Sequence, residues 1–173
     1  MEYTDNTSMT DLQPNSPSEQ HFKKYHLREL FKDTHLAAIL FGSLLVGLGL
    51  SFILPSTFLE SATADTLVLL NLLLLYPLVE ELLFRGVIQE ALLKRSCLAV
   101  RNLGISYANI ITSILFVGLH FIHHPPVWAM AVFVPSLVLG YIRERYISLL
   151  VPISLHIFFN CIYLLAAIFN FIA

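Results

Sequence analysis

The sequence has 173 residues, of which 57% are hydrophobic and 13% are charged, and its mean hydropathy is +0.74. A soluble domain contains about 25% charged residues, so this composition excludes an ordinary soluble domain and predicts an all-α, polytopic membrane helix bundle. The net charge of −2 gives no reason to expect a nucleic-acid partner. Cys97 and Cys161 lie far apart without a CxxC pattern, and we interpret both as apolar packing residues.

Two segments precede the apolar part of the chain. Residues 1–20 are rich in Ser, Thr, Asn, Gln, Pro and acidic residues and contain no Lys or Arg, which predicts a disordered polar tail rather than a signal peptide. Residues 21–34 place four basic residues among Phe and Leu side chains. This pattern fits either an amphipathic helix on the membrane surface or a plain basic flank, and it does not decide between them. The membrane domain is then predicted to cover residues 35–173.

Five apolar stretches follow, and we predict one membrane span from each. They cover about residues 35–54, 66–94, 105–121, 127–141 and 148–173. In the first, Ser43 and Gly47 match the small-xxx-small pattern that permits close helix approach. In the second, Pro77 is a candidate kink.

The basic residues alternate between the predicted ends of these spans. Four Lys or Arg precede the first span, and the later connections and the C-terminus contain none, three, none, two and none. This alternation predicts a cytoplasmic N-terminus and an external C-terminus. The lipid bilayer is therefore the first expected partner.

The second predicted span contains two adjacent carboxylates and an arginine, which are Glu80, Glu81 and Arg85. Each ionised group at the centre of a spanning helix costs about 2.5–3.5 kcal/mol, so such groups are expected to be paired, inward-facing or functional. Glu81 and Arg85 are four residues apart and are predicted to form a structural ion pair. Glu80 is turned by about 100° from Glu81, which leaves it free to do chemistry.

Three polar residues on other spans are candidates to meet Glu80. His120 lies on the third span, and His156 and Asn160 lie four residues apart on one face of the fifth. A pocket containing these groups suits the addition of water to a carbonyl. Glu80 would act as general base and His120 would hold the water, while imidazole and amide N–H groups would stabilise the oxyanion.

Other chemistry is less well indicated. Ser113 and Ser154 are interpreted as packing residues, and His123 and His124 as part of an interfacial turn beside two prolines. No cofactor is predicted. The set His120, His156 and Glu80 could bind a catalytic zinc, although no HExxH pattern signals one, so zinc stays open.

Two functions of other classes use the same buried polar groups. A non-catalytic binding or immunity module would sequester a hydrophobic peptide in the pocket. A proton or ion pathway would place the carboxylates along a conducting route.

Three short motifs occur in order on separate predicted spans: Glu80-Glu81-x-x-x-Arg85, Phe116-x-x-x-His120 and His156-x-x-x-Asn160. Over about residues 66–165 this arrangement resembles the CPBP family of CAAX prenyl endopeptidases and bacteriocin-processing proteins, also called the ABI family. The resemblance implies a glutamic-type intramembrane endopeptidase. It assigns water activation to Glu80 and His120 and the oxyanion site to His156 and Asn160. Glu81 and Arg85 keep the supporting role that their spacing predicts, as an ion pair that fixes the helix and orients Glu80.

The same resemblance implies a substrate and a location. The substrate would be a membrane-bound or lipidated protein cut near its C-terminus, and one candidate class carries a C-terminal sorting segment. The five predicted spans resemble short bacterial members, which implies the bacterial inner membrane.

The predicted depths of the two histidines conflict with a common site. At 1.5 Å per residue, His156 lies about 12 Å and His120 about 24 Å from the cytoplasmic ends of their predicted helices. Either the predicted boundaries are wrong or the helices are staggered.

Overall fold

The protein is described by a computed structural model that covers residues 32–51 and 66–172, with side chains for residues 32–49 and 66–166. The predicted polar tail 1–20, most of the predicted basic segment 21–34 and the connection near residues 55–65 lie outside the described residues.

The described chain consists of five helices and one short hairpin, so the predicted all-α class is confirmed. The helices are α1 (Thr34–Ser51), α2 (Thr66–Leu93), α3 (Tyr107–His120), α4 (Pro126–Tyr146, with a turn at Val132) and α5 (Leu150–Ile172). Strands β1 (Arg101–Asn102) and β2 (Ile105–Ser106) pair antiparallel between α2 and α3. The hairpin moves the start of α3 from the predicted residue 105 to Tyr107.

Two of the described helices, α2 and α4, are long and apolar enough to cross a membrane by length and composition. The remaining apolar helical stretches are shorter and cover Thr34–Gly49, Tyr107–His120 and Leu150–Ala166. The prediction that the fourth span ends near residue 141 was wrong, because α4 continues through two arginines to Tyr146. Arg143 and Arg145 stay on the helix because each pairs with a carboxylate, on Glu90 and Asp33 respectively.

Helix α2 departs from regular α-helical bonding on both sides of its carboxylates. Segments Asn71–Leu75 and Leu82–Gln89 are π-helical, and the α-helical segment Tyr76–Glu81 lies between them. Pro77 stands at the start of that middle segment, where it has no N–H to continue the backbone pattern. Such π-helical insertions occur frequently at functional sites.

Close packing of α1 against α5 confirms the predicted small-residue contact. A Cβ added at Gly47 would collide with the Cγ2 atom of Ile162. Ser43, one turn earlier, donates its hydroxyl to Leu40 O at 2.9 Å, so this polar group is paired at the contact. Beside it, Leu139, Ile142, Tyr146 and Leu155 form a buried core between α4 and α5.

Asp33 ties the start of α1 to the end of α4. Its Oδ1 accepts from the backbone N–H of His35 at 2.8 Å, which caps the helix. Its Oδ2 accepts from Tyr146 Oη at 2.7 Å and from Arg145 Nη2 at 2.8 Å. Burial alone would raise the pKa of Asp33, but the hydrogen bonds from Tyr146 and Arg145 lower this pKa to about 2.

We expect Gly47→Ala to destabilise the protein, whereas Gly49→Ala does not. Both changes gain about 1 kcal/mol of helix propensity, and a Cβ at Gly49 meets no atom within 4 Å. At Gly47 the collision with the stiff Ile162 side chain adds a penalty of about 1–3 kcal/mol. Thermal unfolding in detergent measures the difference, and equal midpoints for the two variants would contradict the described α1–α5 contact.

The Asp33 contacts predict an acid-sensitive contribution to stability. Because the folded pKa of about 2 lies below the ordinary value of 3.8, the contribution is complete above pH 3.8 and is lost as the pH falls toward 2. Asp33→Asn should therefore unfold at a lower temperature than the parent protein near neutral pH, and this gap should close in acid. A gap that does not change with pH would show that the carboxylate charge is not the stabilising feature.

Candidate active site

The two adjacent glutamates of α2 have different surroundings. Glu81 is fully buried, whereas the side chain of Glu80 keeps 22% of its surface exposed. Successive helical residues differ by about 100° in direction, which explains why one carboxylate enters the protein interior and the next reaches its edge. This difference is what the sequence predicted.

Glu81 is held between two helices. Its Oε2 lies 3.2 Å from Arg85 Nε, one turn along α2, and its Oε1 lies 3.0 Å from His156 Nδ1 on α5. The predicted Glu81–Arg85 ion pair is therefore present, and both partners are fully buried. The contact with His156 was not predicted.

The contact with Glu81 fixes the orientation of the His156 ring. An ionised carboxylate only accepts hydrogen bonds, so His156 Nδ1 carries the hydrogen. The other ring nitrogen, Nε2, then lies 3.7 Å from Glu80 Oε2. This distance is too long for a direct hydrogen bond, and it leaves both atoms able to bind one water between or beside them.

Arg85 connects the site to α3 and α4. Its Nη2 donates to Ser136 O at 3.0 Å and to Ser136 Oγ at 2.8 Å. Ser136 Oγ donates in turn to Ser113 Oγ at 3.0 Å. The guanidinium carbon also lies 5.4 Å from the centre of the Phe116 ring, within the range of a cation–π contact.

His120 and His156 lie around the same aromatic ring. The centre of the Phe116 ring is 4.5 Å from that of His120 and 6.1 Å from that of His156. His120 Nδ1 lies 2.9 Å from the carbonyl oxygen of Phe116. Because a carbonyl only accepts, Nδ1 carries the hydrogen, and Nε2 of a neutral His120 keeps a lone pair for a water molecule.

Asn160 lies on the same face of α5 as His156, as the four-residue spacing predicted. Its Nδ2 donates to the backbone carbonyl of Leu72 on α2 at 2.7 Å. The structure therefore joins Glu80, Glu81, Arg85 and His156 by direct polar contacts or close approach. His120 is connected to this group only indirectly, because its ring and that of His156 both contact Phe116. The described hydrogen bond of Asn160 is made to the backbone of α2 and not to any of these side chains.

The residues predicted to be less informative have ordinary roles. His123 and His124 lie in the exposed turn between α3 and α4, and the His124 ring stacks on His120 at 5.7 Å. Ser113 is a hydrogen-bonded interior residue rather than an exposed nucleophile. Within residues 32–51 and 66–172, no three His, Cys, Asp or Glu side chains are grouped so that they could hold a metal ion.

Two supporting residues were missed in the sequence. Ser136 accepts and donates hydrogen bonds beside Arg85, and Asn109 donates from Nδ2 to Leu137 O at 2.9 Å. The available signal was the small pair Ser136 and Gly140, four residues apart on α4. A Cβ at Gly140 would collide with the Asn109 side chain, so this pair marks the close approach of α3 to α4.

A family model described as "Type II CAAX prenyl endopeptidase Rce1-like" matches residues 61–162. The chain belongs to the Rce1-like family. The matched region contains all six residues of the predicted site, from Glu80 to Asn160. This membership supports the predicted CAAX protease family and a membrane-embedded protease with a membrane protein as substrate. No curated protein and no solved structure matches the chain.

We expect Arg85→Gln to cost about 3–5 kcal/mol of stability, because it leaves the buried Glu81 carboxylate without its cation. Arg143→Gln is the matched control, since Arg143 also bonds a carboxylate but its partner Glu90 is 49% exposed. Exposed pairs contribute about 0–1 kcal/mol. Unfolding midpoints in detergent measure both effects. If Arg85→Gln lowered the midpoint no more than Arg143→Gln does, a dominant role for the buried pair would be contradicted.

Proposed function

We propose that this Rce1-like protein is an intramembrane endopeptidase that hydrolyses a peptide bond near the C-terminus of a membrane-bound or lipidated protein. The observation that carries the proposal is the approach of Glu80 Oε2 to His156 Nε2 at 3.7 Å, with His156 oriented by Glu81. A carboxylate and an imidazole at the edge of a largely apolar bundle form the elements of a hydrolytic centre.

In the proposed reaction, Glu80 removes a proton from a water molecule that His120 helps to hold through its Nε2 atom. The resulting hydroxide adds to the scissile carbonyl, and the carbon–nitrogen bond breaks when Glu80 returns the proton to the leaving amine. No covalent enzyme intermediate is needed. This glutamic-type mechanism requires the asymmetry between the exposed Glu80 and the paired Glu81.

His156 and Asn160 are the proposed oxyanion donors. Because His156 Nδ1 already donates to Glu81, His156 can reach the oxyanion only from Nε2, which requires the ring to be protonated on both nitrogens. One amide hydrogen of Asn160 is used by Leu72, and the second is available.

The membrane arrangement is proposed from charge and hydropathy. We propose five spans within residues 35–173, with the N-terminus in the cytoplasm, because basic residues concentrate at alternate ends of the helices. The location proposed is a bacterial inner membrane. A protein with a C-terminal sorting segment is the proposed substrate class.

We expect Glu80→Gln to reduce cleavage at least about 100-fold, because general-base catalysis contributes about 10²–10⁴-fold. The shape of the side chain is retained, so the unfolding midpoint should stay close to that of the parent. Glu90→Gln is the control, since Glu90 is an exposed glutamate on the same helix. The assay uses a farnesylated peptide with a CAAX-type end and a co-expressed membrane protein with a sorting segment, with product masses as the readout.

Each alternative gives a distinct result in this assay. Full activity of Glu80→Gln would remove Glu80 from the mechanism. Substrate that the parent protein binds but never cuts would favour a binding module. Loss of cleavage in chelator, with recovery on adding zinc, would favour a metal-dependent protease. Ion flux in liposomes would favour a conducting pathway.

A further inference from the structure

The backbone carbonyl of Leu72 lacks both of the donors that regular helical bonding would give it. In an α-helix its partner would be the N–H of Tyr76, and in a π-helix the N–H of residue 77. The N–H of Tyr76 donates instead to Asn71 O. Residue 77 is proline, which has no N–H.

The amide of Asn160 occupies the place of the missing donor. Asn160 Nδ2 lies 2.7 Å from Leu72 O, which is a short and well-formed hydrogen bond. Both residues are half-buried, and Leu72 belongs to a helix apolar and long enough to cross a membrane. In hydrocarbon an unsatisfied carbonyl is costly, because no water is present to replace the donor.

We propose that Pro77 and Asn160 act together as a positioning pair that fixes the register of α2 against α5. Pro77 removes the donor that Leu72 O would otherwise have in its own helix, so the carbonyl bonds across the helix interface. Asn160 supplies that bond one turn beyond His156, which bonds Glu81 on the same helix as Leu72. The two bonds fix both the sliding and the rotation of α2.

This register matters because Glu80 and Glu81 are adjacent. A rotation of α2 by one residue, about 100°, would bring a different carboxylate to His156. Pro77 and Asn160 therefore keep Glu81 on His156 Nδ1 and Glu80 near Nε2. The effect on register is independent of the proposed reaction, and only its consequence for catalysis rests on the proposed function.

The test is a double-mutant cycle on the full-length chain in detergent. Asn160→Ala should lower the unfolding midpoint in the parent background. Pro77→Ala restores a backbone N–H that can reach Leu72 O, so in that background the loss caused by Asn160→Ala should fall to about half or less. Equal losses in the two backgrounds would overturn the proposal.

Two further variants keep the test decisive. Asn160→Asp preserves the shape but cannot donate as a carboxylate, so it should resemble Asn160→Ala. Asn109→Ala is the matched control, because Asn109 donates to a carbonyl of a different helix pair, at Leu137. Asn109→Ala should lower the unfolding midpoint by the same amount in the parent and in the Pro77→Ala background. If Pro77→Ala changed the effects of Asn109→Ala and Asn160→Ala equally, the proposal would also be overturned.

Cleavage supplies a readout that stability does not. If Asn160 positions Glu80 and Glu81, Asn160→Ala should shift the pH dependence of the cleavage rate. The double variant with Pro77→Ala should recover the parent pH dependence, even if its absolute rate stays low. A profile that Pro77→Ala leaves shifted would overturn the catalytic consequence. Failure of the proposed protease function would appear differently, as absence of cleavage in the parent protein with the stability coupling intact.

Discussion

The buried ion pair of Glu81 and Arg85 is the constraint on which the rest of the site depends. Neither side chain is exposed, in a helix with the length and composition of a membrane span. Such a pair is stable only if its remaining hydrogen-bonding capacity is used. Ser136 on α4 and His156 on α5 use part of it, so three helices meet around two charges. The helix packing and the site are thus one arrangement.

The pair also explains how two identical neighbouring side chains come to have different surroundings. Both oxygens of Glu81 are occupied, one by Arg85 and the other by His156. Glu80 is instead partly exposed, and His156 Nε2 approaches its Oε2 at 3.7 Å. Differences of this kind between neighbouring titratable groups are how proteins separate a supporting carboxylate from a reacting one. His156 transmits the difference, because one ring nitrogen faces each glutamate.

The sequence predicted the features that depend on local spacing. The Glu81–Arg85 pair, the shared face of His156 and Asn160, and the Gly47 contact all follow from helical periodicity or residue size. Features that depend on the register between helices could not be predicted, such as Ser136 beside Arg85 or Leu72 beside Asn160. The end of α4 was misplaced for the same reason, since Arg145 reads as a loop residue until Asp33 is known to bond it.

The depth of the site shows why counting residues along each helix is insufficient. His120 is thirteen residues into α3 and His156 only six into α5, a difference of about 10 Å, yet both rings lie within 6.1 Å of the Phe116 ring. The helices are therefore staggered. Leu149, just before α5, packs on Gly86, where a Cβ would come within 3.2 Å of it. Gly86 lies seven residues before the end of α2. The first residue of α5 is therefore level with Gly86 and not with the end of α2. The missing side chain at Gly86 lets a short helix segment bring His156 level with Glu81.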